Sequence, residues 1–508
     1  MATDHREDLL FTGKMEFCRL RSLTRLCRFL ILVGCLLDSS YSFNLDNWFM
    51  NPSLLTSARG KLLTMKLKSS RRPLSLDYTT NQYMQTLDHF TFRPDGYRTF
   101  PQRYLVNKTY WGGPQNNSPI FVCLGNEEDI ITQLPYFGIM TEHAADFRAL
   151  IVFIEHRYYG TSMPFGSQDE SYANASTLGY YSASQALADY AIVITDLKKN
   201  LSADDCPVVV FGGSYGGMLA AWLRLKYPHI TIGALASSSP ILYFEDMTPH
   251  DAYDRVVTKD FRDASDICYR RIKESWAEME KVASQPGGLQ KLAKLFNTCQ
   301  SLSSWTDLFY WIYPALQVSA QYNFAEVKAI CRVINSQARG TDILTRLAAG
   351  AEYANEGLGC LNLSTTLSGW DWQTCSEMVI PLAPNANTTM FPSAPFDLKS
   401  YFSGCFKTYG VLPRPYWITT EFGGHNIKRV LKRFGSNIIF SNGLRDPYSS
   451  GGVLKNISDS IVAITAKEGV HCEDIRSSTN DDPNWLKEQR QKEINIIRKW
   501  IIDYKMSM

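Results

Sequence analysis

Ser214 sits in the pattern Gly212-x-Ser214-x-Gly216, within the run Val208-Val-Val-Phe-Gly-Gly-Ser-Tyr-Gly-Gly-Met218. The chemistry open to that spacing is nucleophilic. Small flanking residues let the backbone make a tight turn between a strand and a helix, which lifts the serine oxygen out of the sheet. The oxygen then stands at a helix N-terminus, where the Tyr215 amide can hold an oxyanion and the helix dipole favours negative charge. A serine hydroxyl is a poor nucleophile until an imidazole takes its proton and a carboxylate orients that imidazole. With this elbow the order along the chain is serine, acid, histidine.

Of the 8 histidines, only His229, His250, His425 and His471 follow Ser214. Only His471 comes after a core strand by a short glycine-containing loop. Upstream of it, Asn442-Gly-Leu-Arg-Asp-Pro-Tyr448 leaves the preceding strand and places Asp446 in a turn stiffened by Pro447. Asp446 and His471 are 25 residues apart, enough for one crossover between adjacent parallel strands.

The elements that must position these residues alternate between strand and helix. Strands are expected at Phe100–Val106, Pro119–Leu124, Ala149–Glu155, Val208 onward, Gly233–Ser237, Asn437–Ser441 and Ser460–Thr465. Ala183, Ala186, Leu187, Tyr190, Ile194 and Leu197 recur at helical spacing, and a last helix is expected over Trp485–Tyr504. This alternation predicts an α/β fold, a mainly parallel doubly wound sheet of α/β-hydrolase type. It stops between residues 246 and 430, where charged helical segments (Tyr269–Val282, Leu289–Phe296, Glu326–Asn335) and Trp- and Pro-rich stretches take over. We read 78–245 and 431–508 as two parts of one core and 246–430 as an inserted helical cap.

Arginines 19, 21, 25 and 28 precede the apolar run Phe29–Leu37, with small polar residues after it, so 1–44 is expected to be a secretory signal peptide and 45–77 a propeptide or loose arm. The apolar run is too short for a stable membrane span. Sequons begin at Asn107, Asn116, Asn174, Asn200, Asn362, Asn387 and Asn456, as a chain passing through the secretory pathway would carry. Of 12 cysteines, Cys18, Cys27 and Cys35 fall in the leader. Cys268, Cys299, Cys331, Cys360, Cys375 and Cys405 crowd the insertion and are the disulfide candidates, with pairing left open. The mature cysteines are odd in number, so at least one thiol is unpaired within the chain. A net charge of +2 and the lack of a basic stripe argue against nucleic acid. No cysteine and histidine spacing suits a metal, and no cofactor is expected.

These residues together resemble a known family. Phe211-Gly-Gly-Ser-Tyr-Gly-Gly-Met-Leu-Ala-Ala-Trp222, Gly125-Asn-Glu-x-Asp-Ile130, Glu155-His-Arg-Tyr-Tyr-Gly160, Asn442-Gly-x-x-Asp-Pro447 and Gly469-x-His471 are similar to the lysosomal Pro-X carboxypeptidase and dipeptidyl peptidase II family of serine peptidases. The likeness runs from about residue 83 to 500, and the carboxypeptidase branch is the nearer match. It implies Ser214 as nucleophile, Asp446 as orienting acid, His471 as general base, backbone amides of Tyr215 and Gly125 as the oxyanion hole, and cleavage after proline. Met218, Tyr448 and Glu127 are the expected pocket residues. Three positions depart from the family pattern: Tyr448 where Trp is common, Cys472 where a second histidine is common, and Glu128 where Gly is common.

The resemblance implies a serine exopeptidase that removes the C-terminal residue from short -Pro-X peptides; with the leader and sequons it is expected in the lysosome or vacuole or outside the cell, with a homodimer open. The alternatives are a dipeptidyl aminopeptidase releasing X-Pro, which an acidic Glu127-Glu128-Asp129 cluster would suit by binding an N-terminal amine, an esterase, or an inactive binding protein of the same fold.

Overall fold

The computed structural model describes residues 77–356, 358–364 and 368–508. The expected signal peptide, nearly all of the N-terminal arm, and Cys18, Cys27 and Cys35 lie outside them. Eight strands form one sheet: β1 (Thr79–Thr86), β2 (Thr99–Asn107), β3 (Ile120–Leu124), β4 (Leu150–Ile154), β5 (Val208–Gly213), β6 (Gly233–Ser237), β7 (Ile438–Gly443) and β8 (Ile461–Ala466). Their spatial order is β1-β2-β4-β3-β5-β6-β7-β8. β1 pairs β2 and β2 pairs β4 antiparallel, and all other neighbours are parallel. The fold is that of an α/β hydrolase.

The strands form where the sequence is apolar without interruption, because parallel strands are covered on both faces. Every residue of β3 to β7 is buried. Alternate residues feed two cores. Val122, Val152 and Val210 face Ala186, Tyr190 and Ile194 of one helix (Ala183–Asn200, called α1) and Leu219 and Leu223 of another (Tyr215–Lys226, α2). Phe121, Phe153, Val209 and Phe211 face Ile494, Ile497 and Trp500 of the C-terminal helix. Burying each such side chain contributes about 1.5–3 kcal/mol. Edge strand β1, by contrast, carries the polar sequence Thr-Thr-Asn-Gln-Tyr-Met-Gln-Thr with an exposed start, which blunts the edge against pairing with other chains.

Between β6 and β7 the chain is helical and builds a third core of its own. Helices α3 (Ala252–Ala264), α4 (Asp266–Ala283), α5 (Thr306–Tyr322), α6 (Phe324–Ser336) and α7 (Ile343–Ala354) bury Val257, Phe261, Ile272, Trp276, Ile312, Leu316, Ile330 and Leu347 together. The spacing Ile272, Trp276, Met279 is one helical face turned inward. All six cysteines of the insertion pair there: Cys268 with Cys331, Cys299 with Cys360, Cys375 with Cys405. Cys123, Cys206 and Cys472 are free. Helices α3, α5 and α7 were absent from the sequence reading. In α5 the run Phe309-Tyr-Trp-Ile-Tyr-Pro-Ala-Leu316 is apolar on too many sides to show a period, and Pro314 reads as a breaker.

Six of the seven sequon asparagines are exposed. Asn107 is the correction: it is 2% exposed at the end of β2, and its amide donates to the carbonyl of Asp77, so no glycan fits there. Among the described residues no helix is long and apolar enough to cross a membrane.

The Cys268–Cys331 bridge closes a sequence separation of 63 residues and ties α4 to α6. Replacing both cysteines by alanine is expected to lower stability by about 2–4 kcal/mol. A lower urea midpoint of unfolding checks this, and an unchanged midpoint would contradict it.

Candidate active site

β5 ends at Gly213 and α2 starts at Tyr215, so Ser214 alone makes the turn, with φ 57° and ψ −126°. A side chain other than glycine resists that region, and the strain is held by packing. A methyl group on Gly212 would lie 2.0 Å from the carbonyl oxygen of Gly216, and one on Gly217 would lie 2.7 Å from that of Ser237. Strand and helix therefore touch backbone to backbone. The Ser214 amide donates to Ser237 O at 3.0 Å, which anchors the turn on β6.

Asp446 follows β7 and caps the short helix Pro447–Gly451, its Oδ1 accepting from the Tyr448 amide at 3.0 Å. Its other oxygen, Oδ2, lies 2.7 Å from Nδ1 of His471, which follows β8. Both side chains are buried, at 0% and 1% exposure. The histidine is held on every side. Its amide donates to Gln321 O at the end of α5, and its carbonyl accepts from Arg476 Nη2 at 2.5 Å. The Tyr322 ring stands edge-on to the imidazole at 5.3 Å. The next amide, of Cys472, donates to Ser238 Oγ, and the Cys472 sulfur packs on Gly213, where a methyl group would meet it at 2.9 Å. These contacts bring the histidine segment against the serine turn. The imidazole Nε2 is buried without a hydrogen-bond partner. Burial alone would lower the His471 pKa, but the Asp446 carboxylate and the neighbouring Cys472 outweigh it and raise the pKa above its ordinary 6.5.

A cavity opens at Ser214 between core and cap. Glu127, Tyr215, Met218, Pro240 and Tyr448 line it from the core side, and Gln321, Tyr322, Trp370 and Ile380 from the insertion. The three expected pocket residues, Met218, Tyr448 and Glu127, are all there. Gln321, Tyr322 and Ile380 carry no signal in the sequence, and Trp370 carries only its place in the Trp-rich stretch Gly369-Trp-Asp-Trp372. Tyr448 packs on Tyr253 and His471, with ring centroids 4.9 and 5.8 Å away. The Glu127 carboxyl has one oxygen, Oε2, buried and unpartnered, and burial with the nearby Glu128 charge pushes its pKa up to about 7, against the pull of His471.

One expectation is corrected. The Gly125 amide donates to Ile154 O at 2.8 Å, so it extends the β3–β4 ladder and has no donor left for an oxyanion. The next residue, Asn126, lies against the elbow, with its Cβ 3.4 Å from where a methyl group on Gly216 would stand. The segment Glu155–Gly160 is structural. Arg157 pairs with Asp189 of α1 at 2.6 Å, both fully buried, and donates to the carbonyls of Leu87 and Tyr180. His156 Nε2 meets Tyr215 OH at 3.1 Å. Among the described residues no group of His, Cys, Asp and Glu side chains could hold a metal ion.

Asp446→Asn removes the first of the charges that raise His471 and leaves Cys472 to oppose burial, so the imidazole should titrate lower than in the wild type. Because the folded pKa is raised, the pair's stabilisation is fully present below pH 6.5 and is lost as pH rises through the raised value; the variant should flatten that dependence. Nuclear magnetic resonance titration of the His471 ring together with pH-dependent melting reads both, and an unmoved imidazole would contradict the assignment.

The serine carboxypeptidase S28 family profile matches residues 85–368 and 350–493. The lysosomal Pro-X carboxypeptidase of Mus musculus is 38% identical over 452 residues, covering 84% of this chain and 90% of that protein. The Homo sapiens protein of the same name is 37% identical over 477 residues, covering 88% and 93%. Prolyl carboxy peptidase like protein 5 of Caenorhabditis elegans is 32% identical over 464 residues, covering 82% and 88%. With a family profile that spans the serine turn, the acid turn and the histidine loop, and relatives above 30% identity over more than four-fifths of the chain, the chain belongs to the serine carboxypeptidase S28 family.

Proposed function

We propose that this protein is a serine exopeptidase that hydrolyses the bond after a penultimate proline and releases the C-terminal residue of short peptides. The observation that carries the reading is the buried Asp446–His471 pair packed against the Ser214 turn, whose serine lines an aromatic-walled cavity. Relatives named Pro-X carboxypeptidase supply the substrate class.

In this reading Ser214 Oγ attacks the proline carbonyl carbon while His471 Nε2 takes its proton, and Asp446 holds the ring tautomer and stabilises the imidazolium. The carbonyl electrons move to an oxyanion held by the amides of Tyr215 and Asn126, the latter replacing Gly125. Collapse breaks the C–N bond, and the leaving amino acid takes the proton from His471. Water, deprotonated by the same ring, then releases the acyl group and restores Ser214. Tyr448, Met218 and Trp370 offer flat and apolar walls to a proline ring.

A second reading has one observation in its favour: a carboxylate at Glu127 would also receive an N-terminal amine, as a dipeptidyl aminopeptidase needs. A peptide with either end blocked separates the two. The cellular setting we propose is the secretory route, ending in the lysosome or vacuole or outside the cell, supported by the three disulfides, the exposed sequons and the lysosomal relatives.

Ser214→Ala should lower kcat on a Pro-X peptide by on the order of 10⁶ and abolish labelling by a fluorophosphonate, with melting unchanged. Retained release of the C-terminal residue would overturn the reading.

A further inference from the structure

We propose that the Glu127 carboxyl reads the free C-terminal carboxylate of the substrate, donating its O–H to it across the cavity. The inference rests on the carboxypeptidase reading above and adds the group that makes the enzyme an exopeptidase.

A peptide cut one residue from its end brings a carboxylate into the cavity at Ser214. The residues lining that cavity include no lysine or arginine. Its walls are apolar, as at Met218 and Ile380, or neutral and polar, as at Gln321 and Tyr322, and Glu127 is the one acidic side chain among them. An ionised Glu127 would repel the substrate's charge. A neutral one is a strong donor, since an O–H facing a carboxylate makes a short, charge-assisted hydrogen bond. Oε2 is the atom left for this. It is buried and unpartnered, although buried polar atoms rarely stay so.

The groups around Glu127 keep it neutral in mild acid. Glu128, on the same loop, raises its pKa, as burial does, and His471 opposes them, leaving it at about 7. The other titratable groups coupled to it are tyrosines: Tyr159, Tyr215 of α2, Tyr322 of α5 and Tyr448. Burial raises all four above 10, so they stay neutral while Glu127 titrates. Substrate capture through Glu127 should therefore weaken as pH rises through 7, the direction opposite to amine capture.

The test uses an N-acetylated Ala-Pro-Phe tripeptide, whose blocked amine excludes the aminopeptidase mode, and its C-terminal carboxamide as competitive inhibitor. With the wild-type protein, KM for the free carboxylate should rise about tenfold between pH 6 and pH 8, following the protonated fraction of Glu127. Ki for the carboxamide should stay within about twofold. In Glu127→Gln, which keeps a neutral donor at every pH, the rise in KM should vanish. Parallel movement of KM and Ki in the wild type overturns the proposal, as does an unchanged pH profile in the variant. The wild-type comparison decides the matter even if the variant does not fold. Capture of a free-amine, carboxamide-ended peptide that tightens towards pH 8 through Glu127 overturns it in favour of the amine. If the wild type releases no phenylalanine at any pH, the carboxypeptidase reading fails, and this proposal with it.

Discussion

A carboxylate and an imidazole, both sealed from water, share one hydrogen bond at the C-terminal ends of β7 and β8, and much of the architecture serves to keep that bond in place. Burying a charge without a partner is costly, and removing one member of such a pair typically costs about 3–5 kcal/mol. Asp446 meets this by accepting from the Tyr448 amide as well as from His471. The histidine is fixed from two sides that lie far apart in the sequence. The core supplies Ser238 and Arg476, and the insertion supplies the Gln321 carbonyl. The insertion thus helps hold the histidine as well as lining the cavity.

The same pinning extends beneath the site. Ser237 Oγ donates to Asp474 at 2.5 Å, and Arg490 of the C-terminal helix donates to the Asp474 carbonyl at 2.7 Å. The segment carrying His471 is thereby tied to β6 and to the helix that closes the fold. Ser237 also receives the Ser214 amide through its carbonyl, so one residue of β6 links the serine turn to the histidine segment. Rigid support of this kind lets Ser214 persist at positive φ, a conformation that costs about 1–3 kcal/mol elsewhere.

The cavity combines apolar and aromatic walls with polar groups at Glu127, Ser214 and Gln321, as small-ligand sites commonly do. Tyr448 takes part in both the pocket and the core of the insertion, where it packs on Tyr253. Its ring also packs on His471, so one side chain joins the cavity wall to the buried histidine.

Legible along the chain alone are the serine turn, the candidate order of serine, acid and histidine, the alternation that makes a parallel sheet, and the six cysteines of the insertion. These are local signals: period, glycine placement and spacing survive in one dimension because each arises from neighbours along the chain. Tertiary structure decided the rest. Which cysteines pair, that Asn107 is buried, that the Gly125 amide is consumed by the ladder, and that Glu155–Gly160 is scaffold all depend on groups far away in the chain, such as Ile154 for Gly125 and Asp189 for Arg157. Helix α5 escaped notice because a helix enclosed on most faces loses its amphipathic period, and its last residues matter only where they end, beside His471. The charge state of Glu127 is the clearest case. Glu128 beside it in sequence raises its pKa, yet the larger cause is burial of the carboxyl by the fold, which the sequence does not show.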